Sequence, residues 1–425
     1  MSFLGFFNKK DNGFTKVISG LSNKADKIRF NAIEELEKMK LTKNQRIDLI
    51  RMATSTYPSA KYEWQTIPSI LIETATKEAS EEYIKEIEDV FADLDSSGKK
   101  SALWFLQRYE KEEAISTYIK LITQNYEELD SIPAVHLERT PKYEHIIFPQ
   151  ILRCISNEKV AYDIYLLTLN YLNKDLIDIS NESRFLESII VESQKNRQRI
   201  QKIENENKNI KNWIWDNDEY LEIRYKQGII LDLLGYVSGK AAEDELIELL
   251  KFTDNKLKYF AVISLLRHSK SVDNMVFEKI AEDPETRNWL YDKLKSMNMD
   301  HLYPAKFRTQ EAFAESDMIN WLLYPTELGR VPDEIELMKV VEEETNTADG
   351  VLMFYLFRFR SNHPDWIENG WTAGMAGPYL KKESPTTGAH GYTFSAFEKW
   401  EDKTMEEHVD EIIEIIGDWR ENSSN

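Results

Sequence analysis

Apolar residues recur at helical spacing through the first 300 residues, where strand-like alternation is scarce. Ile28, Ala32, Ile33 and Leu36 form one stripe, and Ile115, Tyr118, Ile119 and Ile122 a second. Leu246, Ile247, Leu249 and Leu250 form a third. Residues three and four apart share a helix face, so each stripe has to be buried against a neighbour. Turn signals at Ser96–Gly98, Tyr236–Gly239 and Asp283–Pro284 cut the region into short helices, and short connections imply antiparallel neighbours. Gly and Pro number 7 and 6 in the first 300 residues against 8 and 6 in the last 125. That change predicts a boundary between Met297 and Ala312, separating a helical region over 1–300 from a second domain over 301–425.

One register recurs within the helical region. Asp26, Ile28, Arg29, Ala32 and Leu36 match Asn255, Leu257, Lys258, Ala261 and Leu265. A weaker copy has Ser96, Lys99, Ala102 and Leu106, and another Arg224, Gln227 and Leu231. The polar start can accept backbone N–H bonds as a helix cap. The small residue admits a neighbouring helix, and the leucine four on lies on the same face. Ala32 and Ala102 are 70 apart, and Gln227 and Ala261 are 34 apart, which suggests a unit of 34 to 35 residues. The middle of the chain keeps that period only if a polar stretch of 21 residues, Glu192–Asn212, is an insertion. Its sparse anchors Ile200, Ile203 and Ile210 suit a projecting or mobile segment.

This Asp, Arg, Ala, Leu order resembles HEAT-like helical repeats, best over residues 20–55 and 215–295 and faintly elsewhere. The resemblance implies an α-solenoid of about six to eight helix pairs, although standard units run to roughly 40 to 47 residues. The expected fold is thus mainly α, a helical array followed by a small α+β domain.

In the final region, Glu334–Val341 and Val351–Arg360 read as strands, with shorter ones over Thr372–Leu380 and His390–Phe397. Tyr355, Phe357 and Phe359 alternate with Leu356, Arg358 and Arg360, as in a sheet with one wet face. Thr404 and Glu407 have capping-box spacing at the start of a covering helix whose apolar face would be Val409, Ile412, Ile413 and Ile416.

The net charge of −20 disfavours nucleic acid, whose phosphates need lysine and arginine. Residues 301–425 hold 11 Lys and Arg against 24 Asp and Glu, so an acidic end domain would draw in a basic protein partner. The single cysteine excludes an intramolecular disulfide framework and multi-cysteine metal sites, and 49 aromatics argue against disorder. The longest apolar run, Val351–Phe357, is far short of the roughly 18 to 20 residues of a membrane-spanning helix. Phe3, Leu4, Phe6 and Phe7 precede Lys9 and Lys10, the reverse of a secretory signal, and are expected to cap the first helices. These features lead us to expect a cytoplasmic protein.

Phosphate-loop, dinucleotide-turn, zinc-helix and nucleophile-elbow signatures are missing, and no cofactor or metal is implied. Cys154, in Ile-Leu-Arg-Cys-Ile, reads as an inert core thiol, and His408 as part of a solvated helix face. Five of the fifteen glycines fall between Gly370 and Gly391, among Trp371, Tyr379, His390 and Tyr392, with Trp400 just beyond. Glycine lets a ligand approach the backbone and aromatics supply rigid contact area, so these five side chains form the candidate binding site. The expected function is a non-enzymatic protein-binding scaffold for a basic partner, one concrete form being an immunity protein that neutralises a toxin. The alternative is an enzyme with His390 at the centre of the glycine and aromatic cluster.

Overall fold

The computed structural model describes residues 12–139, 141–180, 182–208, 210, 212–344, 350–367, 370–383, 385–386, 394–411 and 414. Phe3, Leu4, Phe6 and Phe7 lie outside them. The protein is mainly helical, with a small four-stranded antiparallel sheet in its C-terminal part. The chain divides into two compact units, Met1–Ser188 and Ile189–Asn425. The boundary expected between Met297 and Ala312 therefore falls inside the second unit.

The first unit contains α1 (Asn12–Leu21), α2 (Asp26–Lys38), α3 (Lys43–Met52), α4 (Ile67–Ala75) and α5 (Glu81–Val90). It continues with α6 (Ser96–Arg108), α7 (Glu112–Asn125), α8 (Val135–Arg139), α9 (Glu144–Ile147) and α10 (Glu158–Leu172). Side-chain caps set many of the starts. Thr42 and Gln45 form a capping box on α3, Thr66 and Ser69 another on α4, and Asp95 accepts from the Gly98 amide at the start of α6. Alternate helices pack together: α2 on α4, α4 on α6 and α6 on α8, and likewise α3 on α5, α5 on α7 and α7 on α9.

Polar ties recur at a near-constant interval. Arg46 Nη1 donates to the Thr74 carbonyl at 3.0 Å, Ser101 Oγ to Glu73 Oε1 at 2.9 Å, and Asn157 Nδ2 to the Leu129 carbonyl at 2.9 Å, each bridging 28 residues. The capping residues Thr66 and Asp95, 29 apart, are themselves hydrogen-bonded at 3.3 Å. These intervals are shorter than the 34 to 35 residues read from the sequence. At the start of the unit α1 lies against α2 so closely that a Cβ on Gly20 would sit 2.7 Å from the Ala32 Cβ. Glycine is needed there for the approach itself.

The long α11 (Ser183–Asn207) crosses the division between the units. The second unit continues with α12 (Asp218–Leu234), α13 (Lys240–Leu249), α14 (Asn255–Arg267), α15 (Asn274–Glu282), α16 (Arg287–Ser296) and α17 (Gln310–Leu322). Here too α12 packs on α14 and α14 on α16. Ser264 Oγ donates to the Leu231 carbonyl at 2.6 Å across 33 residues. The stretch read as an insertion is mostly in α11, and it neither projects nor is solvated all round. Ile189, Ser193, Asn196, Ile200 and Ile203 are buried at helical spacing, whereas Ile210 is exposed. All twelve matched basic, small and leucine positions are buried: Arg29, Ala32, Leu36, Lys99, Ala102, Leu106, Arg224, Gln227, Leu231, Lys258, Ala261 and Leu265.

The sheet is a meander of β1 (Glu334–Glu344), β2 (Val351–Arg360), β3 (Thr372–Leu380) and β4 (Phe394–Lys399), in that spatial order. Of the fourth strand expected over 390–397, residues 390–393 lie outside the described residues. The expectation of one wet face is corrected by β2, which is buried on both sides. Met353, Tyr355, Phe357 and Phe359 pack with Ala314, Met318 and Leu322 of α17. Leu352, Phe354 and Leu356 pack with Met375, Trp400, Met405 and Val409. A run of seven apolar residues suits a strand covered on both faces, and here two helical segments supply the covers. The second is helical over 405–411 and opens with the Thr404–Glu407 capping box, with the Glu407 amide donating to Thr404 Oγ1 at 3.2 Å and the Thr404 amide to Glu407 Oε2 at 2.7 Å. Val409 is buried on it, while Ile412, Ile413 and Ile416 lie outside the described residues.

Candidate functional site

The sheet places the residues singled out in the sequence on different faces. Trp371 precedes β3 and Trp400 follows β4, and the Trp400 amide donates to the Trp371 carbonyl at 2.7 Å. The Arg358 guanidinium lies 4.4 Å from the Trp371 ring centre and 5.9 Å from that of Trp400, and Arg360 lies 4.8 Å from Trp371. Arg358 also donates to Glu336, and Arg360 to Glu334. The two tryptophans are thus brought together, but cations of the chain itself already occupy them. Tyr379 is elsewhere, on the α17 side, fully buried against Tyr355, with its hydroxyl donating to Asp317 Oδ2 at 2.6 Å. Burial, with Asp317 beside it, drives its phenol pKa upward. His390 and Tyr392 lie outside the described residues. Tyr379 is therefore a core residue linking β3 to α17 and does not share a surface with Trp371.

His408 is buried, which corrects its reading as part of a solvated face. It stacks on Trp400 at 5.0 Å and 18°, with Nε2 3.2 Å from the Trp400 carbonyl oxygen. Cys154 is buried, and burial pushes its thiol up to about 11, far from a reactive thiolate.

A dense group of ionisable side chains is in the second unit. Arg224 on α12 donates from Nε to Asp254 Oδ2 at 2.6 Å and from Nη1 and Nη2 to Glu285 at 3.0 and 2.7 Å. Tyr220 adds its hydroxyl to Asp254 at 3.0 Å, and Lys256 reaches Glu285 at 3.0 Å. Asp254 also caps α14 by accepting from the Lys256 and Leu257 amides. Burial opposes its ionisation, but Arg224 and these donors hold its carboxyl below the ordinary range. Burial raises Asp283 and Glu204 instead. Every carboxylate bonded to Arg224 is thereby spent on joining α12 to α14 and to the turn before α16. Among the described residues no cluster of three or more His, Cys, Asp or Glu has the geometry to hold a metal ion.

The sequence reading missed a groove between α4 and α6 in the first unit, with a volume of about 710 Å³. Ser97, Lys100, Ser101, Trp104 and Arg108 line it at helical spacing from α6, Glu73 from α4, and Thr76 and Lys77 from just past the end of α4. Trp64, at the end of the loop before α4, is 73% exposed and stacks on Tyr62 at 4.5 Å and 10°. Trp104 is 37% exposed. The available sequence signal was Trp104 itself, a large aromatic flanked by Lys100 and Arg108 on the side of α6 away from Ala102 and Leu106. No family model, no curated protein and no solved structure matches the chain.

Proposed function

We propose that this chain is a non-enzymatic protein-binding scaffold, built as a HEAT-like α-solenoid of stacked helix pairs and engaging a basic protein partner. The observation that carries the reading is the recurrence of cross-ties between alternate helices at intervals of 28 to 33 residues, from Ser101–Glu73 to Ser264–Leu231. Helix pairs that each bind mainly their neighbours accumulate a long continuous surface, which suits extended protein ligands. The buried ionisable groups Asp254 and Tyr379 are engaged in ties between elements, which favours binding over catalysis.

The sign of the partner follows from the charge balance of residues 301–425 and from the edge of the sheet. No residue of β1 is buried, Leu337 and Val340 are each 40% exposed, and among the described residues Glu343 and Glu344 form no ion pair. An edge strand of this kind can pair with a basic extended segment through main-chain hydrogen bonds. A neutraliser of a basic toxin is one concrete form of the proposal. Affinity capture with the intact chain tests it. A stoichiometric protein of basic pI, lost at high salt and lost with Glu343→Lys/Glu344→Lys, is the expected result. Recovery of no such protein at modest salt overturns the reading.

A further inference from the structure

We propose that the α4–α6 groove of the first unit binds an acidic peptide segment anchored by one aromatic or aliphatic side chain. This goes beyond the basic-partner reading: it concerns another surface and a ligand of opposite charge.

The aromatic groups come first. Trp64 and Trp104 both line the groove and both remain exposed, although the chain buries most of its large apolar side chains. An ordered, exposed tryptophan presents rigid contact area at little entropic cost, as the anchors of protein interfaces do. Trp64 is also held in place. It stacks on Tyr62, whose ring carries the Lys61 ammonium at 5.5 Å, and Lys61 pairs with Glu34 at 3.3 Å. The loop before it is tied to α2 by Arg29, whose Nε donates to the Ser59 carbonyl at 2.7 Å.

Charge selects the ligand. In a chain of net charge −20, cations of this unit usually meet a carboxylate: Lys43 with Glu82, Arg51 with Glu86, Lys99 with Glu128, Lys111 with Glu81. Lys100 and Arg108 depart from that pattern. Among the described residues neither forms an ion pair, and Asp163 acts on Lys100 only at longer range. They lie one turn on either side of Trp104. Lys77, just past the end of α4, also lines the groove and donates to the Glu37 carbonyl at 3.1 Å, so its charge is not neutralised by a carboxylate. The acid lining the groove, Glu73, accepts from Ser101 Oγ at 2.9 Å. The groove is therefore locally cationic within an acidic protein, and a carboxylate-rich ligand restores the missing pairs.

A peptide fits better than a polynucleotide. Gln65, Thr76 and Ser97 place neutral donors and acceptors along the lining, suited to backbone amides. Three cations with Glu73 among them do not make the continuous basic track that a phosphate backbone follows.

Fluorescence anisotropy with the full chain tests the proposal. Two libraries of labelled peptides of about twelve residues are compared, one with Asp and Glu at fixed positions around a randomised apolar residue, the other with Lys and Arg there; oligothymidylate and inorganic phosphate serve as further probes. The acidic library is expected to bind, preferring aromatic or large aliphatic anchors. Affinity should fall at least about tenfold in Trp104→Ala and in Lys100→Glu/Arg108→Glu, at unchanged circular dichroism and thermal midpoint. Glu343→Lys/Glu344→Lys should leave it unaltered, which separates failure here from failure of the basic-partner reading. Trp64→Ala, on a separate element, is a second check should Trp104→Ala perturb folding. Equal binding of the basic library, tighter binding of oligothymidylate, full competition by phosphate alone, or no acidic-library binding above that of the Lys100→Glu/Arg108→Glu variant overturns the proposal.

Discussion

In the first unit, Arg29, Arg46 and Lys99 are buried cations whose carboxylate partners stay in water: the side chain of Asp26 is 71% exposed, that of Glu78 79% and that of Glu128 69%. In the second unit Arg224 is equally buried, but its partners Asp254 and Glu285 are buried with it, at 0% and 3%. Both arrangements satisfy a guanidinium or ammonium between helices. They differ in what remains when one member is lost. An exposed carboxylate that loses its cation is solvated, and a cation with backbone carbonyl partners keeps those: Arg29 retains the Asn23 and Ser59 carbonyls, and Arg46 those of Thr74 and Ala75. In the second unit, removing one ion strands another away from water, where desolvation is expensive.

The largest effect is therefore expected at Asp254. Asp254→Ala leaves Arg224 with half its partners, frees the Tyr220 hydroxyl and uncaps the Lys256 and Leu257 amides. Breaking a buried pair in this way costs about 3–5 kcal/mol. Urea unfolding followed by tryptophan fluorescence measures it. Arg224→Ala should cost a comparable amount, and the double variant clearly less than the sum, because the two share one network. A loss below about 1 kcal/mol for Asp254→Ala, within the range of ordinary surface pairs, would break the contrast between the units.

How far the sequence carried follows the same division between local and remote causes. The helices, the four strands and the capping box at Thr404 were legible because they depend on neighbours three or four residues away. The burial of the basic register positions Arg29, Lys99, Arg224 and Lys258 was not, because it depends on packing against other parts of the chain. The buried face of α11 was not, because Ser193 and Asn196 interrupt its isoleucines. Ser193 is tolerated only because it bonds to Glu245 at 3.0 Å and Gln227 at 2.8 Å, 52 and 34 residues away. The α17 cover of β2 was missed for a similar reason, since α17 showed no sign in sequence that it would meet the sheet. For the candidate site, Trp371 and Trp400 share a cluster, but Arg358 and Arg360 fill it. Alternation alone gave no hint that Tyr379 points to the opposite face, because a register irregularity between Met353 and Tyr355 intervenes. The α4–α6 groove was hidden because the sequence around Trp104 does not show which helix lies beside it.

Acid titration sharpens the comparison with a smaller effect, since a protonated Asp254 still fills its place. Burial raises Glu204 and Asp283 above their ordinary 4.5 and 3.8, so these take up protons first and relieve a desolvation cost; stability of the second unit holds or rises slightly in that window. Asp254 shifts the other way. Its contribution is fully present above 3.8, its ordinary value, and is lost as pH falls through its lowered folded value. The stability gap between the wild type and Asp254→Asn should accordingly be constant above pH 3.8 and close below it. A gap that closes between neutral pH and pH 5 would assign the network's acid sensitivity to a different carboxylate.

The smallest effect is expected in the first unit, at Glu128. Lys99 donates to Glu128 Oε2 at 2.7 Å and lies 6.0 Å from the Phe91 ring centre, so its stem stays packed whether or not the carboxylate is charged. Glu128→Gln keeps an acceptor oxygen in the same place and loses only a water-screened attraction. Its thermal midpoint should match that of the wild type within error, and high salt should not change the comparison. Lys99→Ala removes the packed stem as well and should be measurably worse than Glu128→Gln. If instead Glu128→Gln destabilised the chain as much as Asp254→Ala, partner exposure would not set the cost of these ties, and their shared geometry would have to.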